Sequence, residues 1–371
     1  MRRRLGRLRG RGTLSIESAV GPGWLSEFHE LERRNRHSHQ RLRDLEVAGK
    51  LVWPNLAKYD IDGRKPIRER TFIYVTGSVA RLEACENSDL DLFVVDSISE
   101  KSSTEDDSLN YVEESALIAQ LDSVRDAAEF RPFSRGGEFV RVHSLSSMVD
   151  DIGDRNDDYS NSFTARLLLL MNSRPLLNRD AYEAARKRVL SAYWDESDPD
   201  VPFLPIMLTN DIRRWWGVLC LNFEKYNRRT EETGFDSTPE RRIENLKLRY
   251  SKMLAVYSVL LGFISVATVD GLSRNAADGI LESTPLERLR FVMLQNEFDD
   301  EICKFTKLIL KEYDEYLSAV SVPKCELIDK LSDVSIAKGL KERSYLFHDY
   351  FVHLFSLVGA GRSPLYEYCI I

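Results

Sequence analysis

The chain has 371 residues, 43% hydrophobic and 30% charged, with a formal net charge of −7. That balance describes a globular protein long enough for two domains and excludes a disordered or fibrous class. No apolar run reaches the roughly eighteen residues a membrane span needs, and the five scattered cysteines contain no Cys-x-x-Cys pair, so the expectation is a cytoplasmic protein with reduced thiols, no membrane partner and no zinc site.

Residues 1–12, MRRRLGRLRGRG, carry six Arg and no acid, so residues 1–23 read as a basic, disordered tail on a body more acidic than the net charge suggests. An acidic body is a poor general nucleic-acid binder. From Trp24 to about Ala48 a sparse apolar stripe, Leu25, Phe28, Leu31, Leu42 and Leu45, predicts a helix. His37 and His39, two apart, fall on different faces of it and make no metal pair. Pro54 and the Asp62-Gly63 turn separate this helix from a strand that begins at Thr71.

The informative stretch is TFIYVTGSVARLEACENSDLDLFVVD, Thr71 to Asp96. Phe72 to Val75 reads as a buried strand, broken by Gly77-Ser78. A helix from there to about Cys85 would present backbone N–H groups and the Ser78 hydroxyl to a phosphate, with Gly77 allowing close approach. Ser88 to Val95 reads as a second strand, in which period two puts Asp89 and Asp91 on one face. Paired carboxylates on a rigid strand suit a divalent cation, and hard oxygen ligands favour Mg²⁺ or Mn²⁺, which take substrate phosphates as further ligands.

Gly77-Ser78, ten intervening residues, then Asp89-Leu90-Asp91 resembles the signature of the polymerase-β-like nucleotidyltransferase superfamily. The wider pattern, Gly-Ser-Val-Ala-Arg followed by Ser-Asp-Leu-Asp-Leu, is similar to its uridylyltransferase (GlnD-like) branch. The resemblance covers roughly the first half of the chain. It implies a mixed sheet with flanking helices, a nucleoside triphosphate substrate, two Mg²⁺ held by Asp89 and Asp91, and β/γ-phosphates held at Gly77 and Ser78.

Residues 97–108 read as an exposed loop, Leu109 to Phe130 as a helix, and residues 136–143 as a strand after a Gly turn. The superfamily commonly adds a third carboxylate on a neighbouring strand, and the resemblance makes Glu138 the best placed candidate. An edge-strand surface charge is the competing reading of that residue. The cluster Asp150, Asp151, Asp154, Asp157 and Asp158 lacks EF-hand spacing and reads as a solvated connection. Phe163 to Met171 reads as a buried helix, ended by Ser173-Arg174-Pro175, with no catalytic role for Arg166.

The second half is helical by pattern. On the helix from Leu208 to about Arg229, Asn210, Arg213 and Arg214 share a face, while Trp215 and Trp216 read as core. On that from Ile243 to about Ile264, Asn245, Arg249 and Lys252 do, with Lys247 and Ser251 as neighbours. Pairing with Glu224 and Glu244 is the plain reading of these charges. In the superfamily a helical domain commonly supplies Lys or Arg to the triphosphate, which favours Lys247 and Lys252. Further helices are expected over 285–318 and 338–358. Arg343 and His348 resemble the short RNase motif of HEPN domains, but residues five apart on an α-helix lie about 140° apart.

The reading is therefore an α+β protein: a nucleotidyltransferase domain over 24–180 and an α-helical domain over 181–371 covering its cleft. The expected activity is metal-dependent transfer of NMP from an NTP to an acceptor hydroxyl, with release of pyrophosphate. A protein side chain or small molecule is favoured as acceptor over long nucleic acid. The alternative is a regulatory or toxin–antitoxin module that binds nucleotide without catalysis or cleaves RNA through Arg343 and His348.

Overall fold

The computed structural model describes residues 23–97, 108–133, 137, 140–159, 161–194, 198–228, 238–361 and 363–370. The basic head, most of the Ser/Asp/Glu-rich loop, and Glu138 lie outside them. Four strands form one mixed sheet: β1 (Thr71–Thr76), β2 (Asp91–Asp96), β3 (Val142–Ser144) and β4 (Arg174–Leu177). Their order is β3-β2-β1-β4, with β2 and β4 antiparallel to β1 and β3 parallel to β2. The other elements are mainly helical, so the class is α+β.

All six residues of β1 are buried, because both faces of the sheet are covered; this is why its sequence runs apolar instead of alternating. Ile73 and Val75 face α1 (His29–Val52) and, beyond α2 (Gly77–Ala80), α3 (Tyr111–Ala127), meeting Leu45, Leu117, Leu121 and Val124. Phe72 and Tyr74 face the other way, onto α4 (Ser162–Met171) and α5 (Arg179–Ser191). From there one apolar cluster continues through Leu208, Leu254, Leu289 and Phe351. The sheet and the helical half thus share a core.

That half comprises α6 (Ile206–Arg228), α7 (Pro239–Lys247), α8 (Met253–Val266), α9 (Arg274–Glu282), α10 (Pro285–Gln295), α11 (Asp300–Ala319), α12 (Lys324–Ser332), α13 (Val334–Gly359) and α14 (Leu365–Ile370). A π turn, Leu248–Lys252, joins α7 to α8. The single helix expected over 285–318 is two, because Asp299 turns its carboxylate to the Ile302 N–H and caps a fresh start at Asp300. α1 bridges the halves: its Leu31 N–H donates to Asp314 of α11 at 2.8 Å, and Arg34 donates to the Leu317 carbonyl at 2.9 Å.

Several expectations about the sheet need correcting: the strand expected over residues 136–143 is confined, among the described residues, to β3. The segment expected only to break the α4 helix becomes β4, an edge strand, where the missing N–H of Pro175 is tolerated at an irregular step in the register. The helix expected from Gly77 to about Cys85 stops at Ala80, with Leu82 at φ +60. Helical bonding is unnecessary beyond it, because α1 supplies the partners: Arg34 donates to the Glu83 carbonyl at 3.0 Å and the Ser38 hydroxyl accepts the Ala84 N–H at 2.8 Å.

Candidate functional site at the carboxylate end of the sheet

The register of β1 against β2 assembles the site, because Thr76 pairs with Asp91 and the next residue, Gly77, turns away beside the Asp91 side chain. Gly77 has φ +68. A Cβ at that position would run into an Asp91 carboxylate oxygen, with the carboxyl carbon 3.2 Å away. Glycine is required here both for the backbone conformation and for the close approach. Ser78 follows, half-buried, as the second residue of α2.

Asp89 and Asp91 are not alternate residues of one strand, as expected from their spacing. β2 starts only at Asp91, since β1 becomes α2 after Thr76 and offers Asp89 no partner. The residues before it form a turn in which the Ser88 N–H donates to the Cys85 carbonyl and the Ser88 hydroxyl accepts the Cys85 N–H, at 3.0 and 2.9 Å. The Asp89 charge still acts on the Asp91 carboxyl. Both carboxylates are exposed to solvent, and among the described residues neither makes a hydrogen bond or an ion pair.

Surrounding protein mass pushes the Asp91 carboxyl above its ordinary range although water still reaches it. The Asp89 charge adds to that rise, while Arg81, Lys247 and Lys252 pull the other way. Both Lys residues named from the sequence therefore act on the same carboxylate as the motif. Lys247 is exposed and paired with Glu244 at 2.8 Å. Lys252 is half-buried, has no ion-pair or hydrogen-bond partner among the described residues, and its amine is held below its ordinary value by burial.

A π turn changes the angular relation of these two Lys residues, whose charges both act on Asp91. Residues five apart on an α-helix diverge by about 140°, whereas a π turn bonds residue i to i+5 and stacks them. Lys247 and Lys252 bracket this turn. Spacing read on an α-helical period carries no signal for it.

Two cationic residues at the site carried no assigned role in the sequence. Arg81 lies four positions after Gly77, with its Nε donating to buried Glu83 at 2.8 Å. The second oxygen of Glu83, Oε1, and the hydroxyl of Thr76 are buried without a hydrogen-bond partner among the described residues. Arg174 of β4, opposite Val75, donates from Nε to the Ala80 carbonyl at 3.0 Å and so fixes the end of α2.

The remaining sequence candidates lie elsewhere. Asp157, expected in a solvated connection, is fully buried and holds both Nη atoms of buried Arg166, at 2.8 and 2.7 Å. The spacing of Asp157 and Arg166 across two helices gave no sign of that pair. Asn210, Arg213 and Arg214 line a cavity of about 670 Å³ between α6, α8, α13 and α14, and half-buried Trp216, expected in the core, forms part of its wall. Asn245 accepts from Arg249 Nε at 2.9 Å beside a smaller cavity of about 260 Å³. Arg343 pairs with Glu312 at 2.8 Å and with Glu315, whereas His348 lies against Tyr257 and Asp349; the two engage different neighbours.

Among the described residues no group of three His, Cys, Asp or Glu side chains gathers to hold a metal. Two carboxylates are present, and Glu138, the expected third, is outside the described residues. No family model matches the chain, and no curated protein matches it.

Proposed function

We propose that the chain is a divalent-cation-dependent nucleotidyltransferase with a polymerase-β-like catalytic sheet, acting on a nucleoside triphosphate and an acceptor hydroxyl. The observation that supports this reading is the Thr76–Asp91 pairing, which lays the Gly77 turn against the Asp91 carboxylate, a carboxylate that also feels the charges of Asp89 and Lys252.

The donor set suits Mg²⁺ or Mn²⁺: hard oxygens, one raised in pKa by burial and further by its neighbour, and neither in an ion pair among the described residues. Asp89 and Asp91 would hold the cation, with Glu138 as a further ligand. When bound, the cation supplies a lowered pKa at the acceptor hydroxyl and neutralises charge on the leaving pyrophosphate. Gly77, lacking a Cβ, lets the Asp91 carboxylate lie against the start of α2, and the Ser78 hydroxyl would donate to phosphate oxygens beside it. Lys252, unpaired and poorly solvated, gains most by meeting a triphosphate oxygen, since an anionic partner offsets its desolvation. Lys247, already paired and solvated, contributes less. Arg81 limits repulsion between Asp91 and the incoming phosphates.

The test is incubation with each of the four α-³²P-labelled NTPs and Mg²⁺, with and without cell lysate as a source of acceptor, resolving protein, RNA and small-molecule fractions. Label should appear in one fraction with wild type and not with the Asp89→Ala/Asp91→Ala double variant. Label transfer equal in both proteins would overturn the reading.

A further inference from the structure

A cavity between α6, α8, α13 and α14 shares no residue with the carboxylate end of the sheet. About 670 Å³ in volume, it is walled by Trp216 and Gly217 of α6, Tyr257 and Leu260 of α8, and Val352 and Phe355 of α13. Trp216 and Tyr257 meet edge to face at 5.7 Å, and Tyr257 meets Phe355 in the same way at 5.6 Å. The volume and the apolar, aromatic lining fall within the range of small-molecule sites.

Two further features point to an occupant. Gly217 lies within α6, where glycine weakens the helix relative to alanine, and a Cβ built on it meets nothing within 4 Å. No packing constraint calls for glycine there; its effect is to leave the wall open. Arg213, one turn earlier on α6, stands at the cavity with no carboxylate partner among the described residues. Its Nη1 is held by the Tyr368 carbonyl at 3.2 Å and the Asn210 side-chain oxygen at 3.4 Å, both neutral. The neighbouring Arg214 differs, being paired with Asp157 at 3.2 Å. An acidic protein that leaves one guanidinium without a carboxylate at the edge of an apolar cavity provides for an anion there.

We propose that this cavity binds a small molecule with an apolar or aromatic body and one anionic group, the body against Trp216, Gly217 and Tyr257 and the anion at Arg213. The inference is independent of nucleotidyl transfer, and neither fails with the other.

The test uses two fluorescent probes of matched shape, anilinonaphthalene sulfonate and its uncharged counterpart phenylnaphthylamine. Wild type should bind one sulfonate probe per chain. Gly217→Phe and, from the opposite wall, the half-exposed Val352→Trp should each weaken both probes at least tenfold, with unchanged far-UV circular dichroism as the folding check. Arg213→Gln should weaken the sulfonate about tenfold and the neutral probe less than twofold. If either filling variant fails to fold, the other decides. No saturable binding by wild type, undiminished binding by a folded filling variant, or equal weakening of both probes by Arg213→Gln would each overturn the proposal.

Discussion

Two of the molecule's charged clusters treat charge in opposite ways. Around Arg166, buried Asp157 takes both Nη atoms, Tyr193 takes Nε at 2.6 Å, and the Tyr193 hydroxyl donates to Asp211 at 2.7 Å. At the end of β1 and β2, Asp89, Asp91 and Lys252 have no such partners among the described residues, and the carboxylates face water. A buried charge without its partner is too costly to retain, so the first cluster holds α4 against α6. The second keeps carboxylates and an amine that no described residue pairs, as a site for a charged ligand requires.

Substitutions should separate the two clusters by stability before any activity is measured. Asp157→Ala strands the Arg166 guanidinium and should cost about 3–5 kcal/mol in denaturant unfolding. A loss below about 1 kcal/mol would mean that water or Asp211 replaces the lost partner. Gly77→Ala should cost roughly 1–3 kcal/mol, from the left-handed backbone and the collision with Asp91, and should also weaken Mg²⁺ binding measured by calorimetry. Asp89→Asn should leave stability within about 0.5 kcal/mol of wild type while abolishing any thermal shift produced by Mg²⁺ or Mn²⁺.

The pH dependence has a definite sign. Asp91 is raised in the folded protein by burial and by Asp89, so the native state holds that proton more tightly than the unfolded chain. Between the ordinary aspartate pKa and the raised one, stability should therefore fall as pH rises, and Asp91→Asn should flatten this segment of the unfolding profile. Because the group reaches water, the effect should be modest. An unchanged profile in Asp91→Asn would place the rise on another group. Lys252→Met should be the smallest perturbation to stability, near neutral or slightly favourable since it removes an unpaired half-buried amine. It should still weaken triphosphate binding about tenfold, equivalent to about 1.4 kcal/mol.

How much could be read in advance depended on whether a feature was local. Gly77, Ser78, Asp89 and Asp91 lie within one β-turn-β stretch, so residue type and spacing specified them together. The stretch Trp24–Ala48 showed its helix, which runs His29–Val52, through a sparse apolar stripe, and Phe163–Met171 did so through four consecutive Leu. β4 did not show itself, because Arg174-Pro175-Leu176-Leu177 has neither alternation nor β-branched residues and becomes a strand only by pairing with β1. The burial of Asp157 depends on Arg166 arriving from another helix, and its place among five aspartates spread over residues 150–158 masked it. The angular relation of Lys247 and Lys252 rests on a π turn that a 3.6-residue period cannot represent.

The most direct test needs no acceptor. Calorimetric titration of each of the four nucleoside triphosphates, as non-hydrolysable α,β-methylene analogues, into wild type, Asp91→Asn and Lys252→Met should show binding of at least one nucleotide. That binding should require Mg²⁺ or Mn²⁺, disappear in Asp91→Asn and weaken about tenfold in Lys252→Met. Absence of binding by all four analogues, or binding that is indifferent to both the cation and Asp91, would contradict the assignment of a triphosphate site to the carboxylate end of the sheet.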